Sequence, residues 1–573
     1  MITTVKGSAG WPITAVLTPG GKPIWIDAYV PKTQLLTIAE RFAVIWQQKP
    51  QRLLQVAENI SKQVATLSLQ PESKWSSAIV RDNVEEILTE LDQQERGLVG
   101  APKFPSEALL LLMLESYLET PTPALRQQLT LWLGRLSSRG IRDHVHGNFH
   151  RYATDAIWQV PHYEKMLYNQ ALLIKVFAKA GYLLNQPEYF AVAQDTAAFV
   201  DNVLKSQSGG YYSAIDADYF SQEGGYYLFE KPQFDKIDTD IIRQFAWYQY
   251  KAEALHAPYI AKQEPSQHAR DILKTIKNQL PMPHIDKKVL LSWNALLADA
   301  FVELYSATGK TNYLVNAQSL VSMIETKLIE NGRLKRAYYL GEAGSDALLE
   351  DYVCLAQAYH NLYTVTFDDI RQVKARKLLR DIVYNKMNSD VIRNTSDGEL
   401  ISPEALFYHL AKTYSFADST LSRASRASKK SLQNAYLRAP MTSYSSAGVL
   451  LNRWQTGKQH VFAQGNGHIK LVRESANQAK IVISLKAGWH INSHSPNQKS
   501  LIATALLIDG QQINTDNYPQ PIERKLGFSD KPLSLFEENV EISFKPNGQW
   551  LEVKLQACSD NVCLLPEAFK FKL

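Results

Sequence analysis

The chain has 573 residues, 45% of them hydrophobic and 21% charged, with a formal net charge of +5. That is an ordinary soluble globular composition, too long for a single hydrophobic core, and its charge balance does not point to nucleic acid. No apolar run of about 18 residues occurs, so no membrane span is expected.

The opening MITTVKGSAG lacks a basic stretch followed by an apolar one. As written it carries no secretory signal. A cytoplasmic location is expected, or a periplasmic one if the true start lies upstream. Trp11 to Leu17 and Ile24 to Ile26 read as strands around the turn Thr18-Pro19-Gly20-Gly21-Lys22-Pro23. Helical apolar spacing follows from Gln34 to Ile60. The polar stretch from Ser68 to Ser77, with Pro71, reads as a linker.

From about 78 to 455 the pattern is mostly helical. Amphipathic segments recur at 106–118, 123–138, 164–184, 187–206, 292–308, 311–329, 346–364 and 368–386. Their pairing suggests helical hairpins arranged as a toroid or solenoid. Gly209 to Asp218 and Gly224 to Phe229 read as a small hairpin between helices, and Ser422 to Lys430 as a solvated helix face or loop. From about 460 the period changes to alternation, as in Ala479 to Leu485, Val540 to Phe544 and Leu551 to Leu555. This is a β-sandwich pattern. The chain is therefore multidomain and mainly α, with a small α/β piece at 1–67, a helical toroid at 78–455 and a sandwich at 460–573.

The segment from Arg139 to Tyr168 concentrates reactive side chains. His144, His146, His150 and Arg151 fall within eight positions, and Pro161-His162-Tyr163-Glu164-Lys165 follows. Surfaces rarely need that mixture, whereas pockets for polar ligands do. His150 and His162 suit proton transfer near neutral pH, Glu164 does so if its pKa is raised, and Arg151 can grip an anion with two bonds. The competing reading is a buried polar network tying helix ends together. His144 and His146 lie beside Gly147 and are consistent with a loop cap. The H-x-H-x₃-H spacing is not a standard zinc arrangement, so no metal and no cofactor are expected.

Asp216 and Asp218 lie two apart on a strand pattern and share a face. They suit glycoside chemistry or, equally, a turn. Trp293 can stack on a sugar ring while Asn294 bonds hydroxyls, although an aromatic at that spacing is more often core. Glu350, Asp351 and Tyr352 complete the candidate binding set, with one acid expected to favour a helix dipole. Cysteines number three. Cys354 sits in an apolar helical run, and Cys558 and Cys563 form either a local disulfide or a redox pair.

The ordered motifs Gly10-Trp11-Pro12-Ile13, Gly100-Ala101-Pro102-Lys103-Phe104-Pro105, His150-Arg151-Tyr152, Val160 to Tyr168, Asp216-Ala217-Asp218, Ser292-Trp293-Asn294 and Leu349-Glu350-Asp351-Tyr352 resemble the spermatogenesis-associated, thioredoxin-domain proteins and their bacterial relatives. The resemblance implies a thioredoxin-like piece followed by an (α/α) barrel similar to sugar 2-epimerases and six-hairpin glycosidases. The family's cysteine-containing segment upstream of Gly10-Trp11-Pro12 has no counterpart here, since the first cysteine is Cys354. Gly488-Trp489-His490-Ile491-Asn492 and Ala557 to Pro566 resemble the immunoglobulin-like periplasmic domain of the thiol:disulfide interchange protein, which implies redox work for Cys558 and Cys563.

Three readings remain open at this level. One is an enzyme acting on a sugar or another polar small molecule. Another is a relay to a thioredoxin-like partner. The third is a non-catalytic scaffold.

Overall fold

A computed structural model describes residues 13–66, 75–250, 255–261, 265–385, 397–415, 418–450, 459–463, 466–475, 477–498, 500–529 and 531–573. The chain divides into two compact units, Met1–Lys74 and Trp75–Leu573.

In the first unit, β1 (Thr14–Leu17) and β2 (Pro23–Asp27) pair antiparallel. The turn between them places Gly21 at φ +77°, a conformation that side chains resist. Helices α1 (Lys32–Gln48) and α2 (Pro50–Thr66) follow. The helical spacing expected from Gln34 to Ile60 is thus split in two. Pro50 disfavours helical backbone at the residue before it, and Lys49 leaves the helix at φ −145°. Ile24, Leu53 and Ala57 form the small core. The Gly10-Trp11-Pro12 turn and most of the expected linker, residues 67–74, lie outside the described residues.

The second unit opens with helices that alternate between an outer and an inner position. The outer ones are α3 (Ser77–Glu90), α5 (Pro123–Ser138), α7 (Pro187–Phe199), α9 (Thr311–Lys327), α11 (Asp369–Asn385) and α13 (Ser419–Arg438). The inner ones are α4 (Glu107–Glu119), α6 (Leu167–Leu183), α8 (Leu291–Thr308), α10 (Leu349–Thr366), α12 (Pro403–Thr413) and α14 (Tyr444–Leu450). Each inner helix packs on the next, α4 on α6, α6 on α8, α8 on α10, α10 on α12 and α12 on α14, and α14 returns to α4. The ring is closed, which makes this a six-hairpin (α/α) barrel.

Sequence explains the arrangement. In α6, 16 of 17 residues are buried, all but Tyr182, as expected of a helix that is enclosed on every side. Boundaries follow cap chemistry. Thr122 accepts the Leu125 N–H ahead of Pro123, and Ser402 accepts the Ala405 N–H ahead of Pro403. Helix α8 stops at Gly309, in the left-handed region at φ +72°. The basic stretch from Ser422 to Lys430 lies on α13.

Every outer-to-inner connection emerges at the N-terminal ends of the inner helices, so these loops converge on one mouth. The longest, residues 200–290, carries the strands β3 (Phe245–Tyr250) and β4 (Leu255–Ala261) and a helix over Gln267–Lys277. It has a core of its own around Phe229, Ile241, Phe245 and Leu273.

The C-terminal part is β-rich. One antiparallel sheet orders β5 (Gln459–Phe462), β6 (Gly467–Arg473), β7 (Ala479–Leu485) and β12 (Asn539–Phe544). A second orders β10 (Ile522–Arg524), β11 (Leu533–Glu537), β8 (Trp489–Asn492) and β14 (Ala557–Ser559). A third contains β9 (Ala505–Ile508), β13 (Trp550–Leu555) and β15 (Glu567–Lys572). Along β12 burial alternates residue by residue, with Val540, Ile542 and Phe544 inward.

This part docks on the barrel. Trp550 belongs to the barrel's own core and meets Tyr117 edge-on at 5.9 Å. His468 Nε2 lies 2.7 Å from the Thr364 carbonyl of α10. The Tyr182 hydroxyl donates to the Lys572 carbonyl at 3.0 Å and accepts its N–H at 2.8 Å. Trp550→Ala is expected to cost about 3–5 kcal/mol, as for a buried aromatic left as a cavity, whereas Leu565→Ala, at a residue 85% exposed, should stay within about 0.5 kcal/mol. Urea midpoints read by far-UV circular dichroism check both.

Candidate functional site

A short ladder at the mouth brings the two halves of the histidine-rich segment together. Tyr152 pairs with His162 and Ala153 with Pro161, while the Arg151 N–H donates to the Glu164 carbonyl at 2.9 Å. The ladder thus brings Arg151, His162 and Glu164 next to one another.

Arg151 sits between two carboxylates. Its Nη1 donates to Glu164 Oε2 at 2.9 Å, and its Nε and Nη2 donate to Glu399 Oε2 and Oε1 at 3.1 and 2.5 Å. The second contact is the two-pronged guanidinium–carboxylate fit. His162 is likewise flanked, with Nδ1 2.6 Å from Glu223 Oε1 and Nε2 3.6 Å from Glu164 Oε2. Tyr152 stacks on His162 at 4.9 Å, and Phe104 packs on Tyr152 at 4.7 Å. The cluster stays within reach of solvent, since Arg151 and His162 keep 25% and 26% of their side-chain surface exposed.

Electrostatics separates the histidines. Burial pulls His162 down, but hydrogen bonds and charge from Glu164 and Glu223 outweigh it and hold the imidazole above its ordinary value. Burial likewise pushes Glu164 up, but His162 and Arg151 hold it below the usual carboxylate value. His150 is different. It is buried, its Nδ1 lies 3.1 Å from the Tyr163 carbonyl, and burial, reinforced by the charge on Lys165, lowers it to about 3. It is neutral at physiological pH and stands behind the mouth. His144 is also buried and lowered to about 3, by burial first and the Arg142 charge second.

Glu107 joins the site from the first turn of α4. Its Oε1 accepts a hydrogen bond from Asn169 Nδ2 at 3.0 Å. Burial raises its carboxyl to about 7, against the Asn169 hydrogen bond and with help from the Glu399 charge. A carboxyl poised there can hold or release a proton near neutral pH.

The other expected site residues have partners of their own. Asp216 and Asp218 are exposed, and Asp216 accepts the Asp218 N–H at 3.1 Å, which is the turn-stabilising pattern. Asp218 does stand opposite Glu223 in its hairpin. Trp293 is half-buried against Tyr168, with ring centres 5.0 Å apart. Asn294 is fully buried. Its Oδ1 accepts the Tyr211 N–H at 2.8 Å, and its Nδ2 donates to the Tyr211 and Leu290 carbonyls at 3.1 and 2.8 Å, so its bonding capacity is taken up by backbone. Asp351 caps α10, accepting the Leu348 N–H at 2.8 Å and the Ser292 N–H at 3.1 Å. Arg336 lies 2.8 Å from Glu350 and 3.3 Å from Asp351, and Tyr352 packs on the barrel core.

Glu107, Glu223 and Glu399 are absent from the sequence-derived set. Glu107 follows Ser106 at a helix start, where an acid reads as a dipole effect. Glu223 and Glu399 lie beside glycines in loops, where no periodicity singles them out.

Among the described residues no group of three His, Cys, Asp or Glu side chains is arranged to hold a metal ion. At the far end of the chain Cys558 and Cys563 form a disulfide with Cα atoms 4.0 Å apart. Cys558 is buried on β14 opposite His490, and Cys563 is half-buried. Cys354 is a free buried thiol, raised by burial.

Comparison with known proteins adds context. A D-mannose isomerase structure is matched with a TM-score of 0.44 and 11% identity, over 66% of this chain and 97% of that one. A sugar epimerase from a ruminal bacterium is matched with a TM-score of 0.43 and 12% identity, over 62% of this chain and 86% of that one. An uncharacterized Caenorhabditis elegans protein is 23% identical over 592 residues, 87% of this chain and 80% of that protein. Spermatogenesis-associated protein 20 of Mus musculus is 26% identical over 437 residues, 63% of this chain, and the match spans only 55% of that protein. Residues 1–65 match the family model Thioredox_DsbH, described as a protein of unknown function, DUF255. The chain is thus similar to this thioredoxin-like family at its start and, over most of its length, to spermatogenesis-associated protein 20 and its relatives.

Proposed function

We propose that the barrel mouth binds a sugar or similar polyhydroxylated molecule and transfers a proton on it, in the manner of an epimerase, isomerase or glycosidase. The observation that carries this reading is the interleaving of Arg151 and His162 with Glu164, Glu223 and Glu399, beside a Glu107 carboxyl raised to about 7. In this reading His162 and Glu107 are the proton-transferring pair. Arg151 orients an oxygen of the ligand with its fixed fork of donors. Trp293 and Tyr152 supply ring faces for the apolar side of a sugar. His150, neutral and enclosed, positions Tyr163 rather than carrying the proton.

A second reading is thiol–disulfide exchange at Cys558–Cys563 with a thioredoxin-like protein. Cys563 is half-buried rather than enclosed, and the nearby Leu565 is 85% exposed, an apolar handle for docking. If neither activity is found, the scaffold reading stands.

The imidazole of His162 should titrate above its ordinary value of about 6.5 in carbon-edited NMR, and Glu223→Gln should lower that midpoint. Because its folded value is raised, protonation of His162 stabilises the fold below about pH 6.5. That contribution fades as pH rises through the folded value. A midpoint at or below the ordinary value would remove His162 from the acid–base role.

In a screen of mono- and disaccharides for epimerisation, isomerisation and hydrolysis, His162→Ala and Glu107→Gln should each lower kcat by about 10²–10⁴-fold. Trp293→Ala should mainly raise KM. The activity should change across a limb near pH 7 that is lost in Glu107→Gln. An absence of turnover, and of any thermal shift with every sugar, would defeat the reading.

For the C-terminal pair, thiol trapping before and after exposure to reduced thioredoxin should reveal two new thiols. A bond that survives is a structural clip, and the exchange reading then fails.

A further inference from the structure

Below the mouth, the lower half of the barrel encloses a second polar space. A cavity of about 80 Å³ lies among α4, α6, α8, α10 and α12 and is lined on one side by Gln459, His460 and Val461 of β5. A water needs roughly 10–15 Å³ of such space, so this one holds several waters or one molecule the size of a small polyol.

Its walls carry buried charge. Lys175 Nζ donates to Asp299 Oδ2 at 2.6 Å. Lys179 Nζ donates to Glu115 Oε1 at 3.1 Å and lies 3.5 Å from Glu303 Oε2. Lys175, Lys179, Asp299 and Glu115 are all at most 6% exposed. Burying such pairs stabilises a fold little compared with apolar side chains of the same size, so stability alone does not account for them.

The charge balance disfavours an anion, and the unsatisfied amide oxygen then points to a hydroxyl donor. Three carboxylates face two ammonium groups, and burial keeps His360 and His409 neutral, lowering His360 to about 4 and His409 well below its ordinary value. Among the described residues of the wall, no positive charge is left over for an anion. What remains is neutral hydrogen bonding. Gln357 is 3% exposed, its Nε2 donates to Asn361 Oδ1 at 2.8 Å, and its Oε1 has no partner among the described residues. A buried acceptor without a donor destabilises a fold unless something supplies the hydrogen.

We propose that this cavity is a binding site, separate from the mouth, for a small neutral polyol whose hydroxyls donate to Gln357 and bond the polar wall facing β5. The strand from the β-rich domain forms part of the site, which gives the docking of that domain on the barrel a role in ligand binding.

The test uses the full chain, titrated by calorimetry with erythritol and separately with inorganic phosphate, and crystallised with erythritol. Saturable binding of erythritol, none of phosphate, and density for erythritol beside Gln357 are expected. Gln357→Leu should weaken binding about tenfold, the worth of one hydrogen bond. Thr413→Val, on the same wall, serves if that variant does not fold and should also weaken it. In crystals of Trp293→Ala, altered at the mouth, erythritol density beside Gln357 should persist, which separates this site from the mouth site. Ordered water alone in the cavity, phosphate binding there, unchanged affinity in the Gln357 and Thr413 variants, or loss of the cavity density in Trp293→Ala would each overturn the proposal.

Discussion

Closure of the inner ring, with α14 returning to α4, is the constraint on which the rest depends. Helices enclosed on all sides gain most of their stability by removing apolar surface from water. Any polar group facing the axis must then find its partner within the protein or in what the barrel's interior holds. Lys175 meets Asp299 and Lys179 meets Glu115 for that reason. The same closure directs every outer-to-inner loop to one end. Arg151 can therefore grip Glu399, 248 positions away in the chain.

At that end, two opposing electrostatic effects decide what each group can do. Desolvation disfavours charge, and a close counter-charge restores it. His150 faces tyrosines and a neighbouring lysine charge, and desolvation wins. His162 stands only a few residues away in space but between two carboxylates, and pairing wins. Glu107 has an amide for a partner instead of a cation, so its carboxyl rises. One loop segment thus supplies a neutral imidazole and one held above its ordinary value, with different chemistry from the same side chain.

The β-rich domain is more than an appendage. Trp550 sits in the barrel's core, and β5 borders the barrel's interior cavity. Its disulfide lies elsewhere, on β14, in the sheet built from β10, β11, β8 and β14. The disulfide and the border of the barrel's cavity therefore lie on different strands of the domain.

Much of the fold is legible in the sequence because its signals are short-range. The apolar period at 123–138 coincides with α5, and alternation from Ala479 to Leu485 coincides with β7. The helical spacing across Pro50 misled, because periodicity is indifferent to a proline that the backbone cannot ignore. The candidate site was legible in part. Arg151, His162 and Glu164 lie within 14 positions, close enough for one hairpin-like ladder to join them. Asn294 and Asp351 carry the right chemistry, but burial commits the polar atoms of Asn294 to backbone and those of Asp351 to backbone and Arg336. Glu107, Glu223 and Glu399 were invisible as partners, since a carboxylate in a loop or at a helix start has no period and no fixed distance to its partner. By itself the sequence determined which segments became helices and strands and where reactive side chains were concentrated. Only the tertiary structure, by closing the ring and excluding water from part of it, decided which charges met and which histidine is held above its ordinary value and which below.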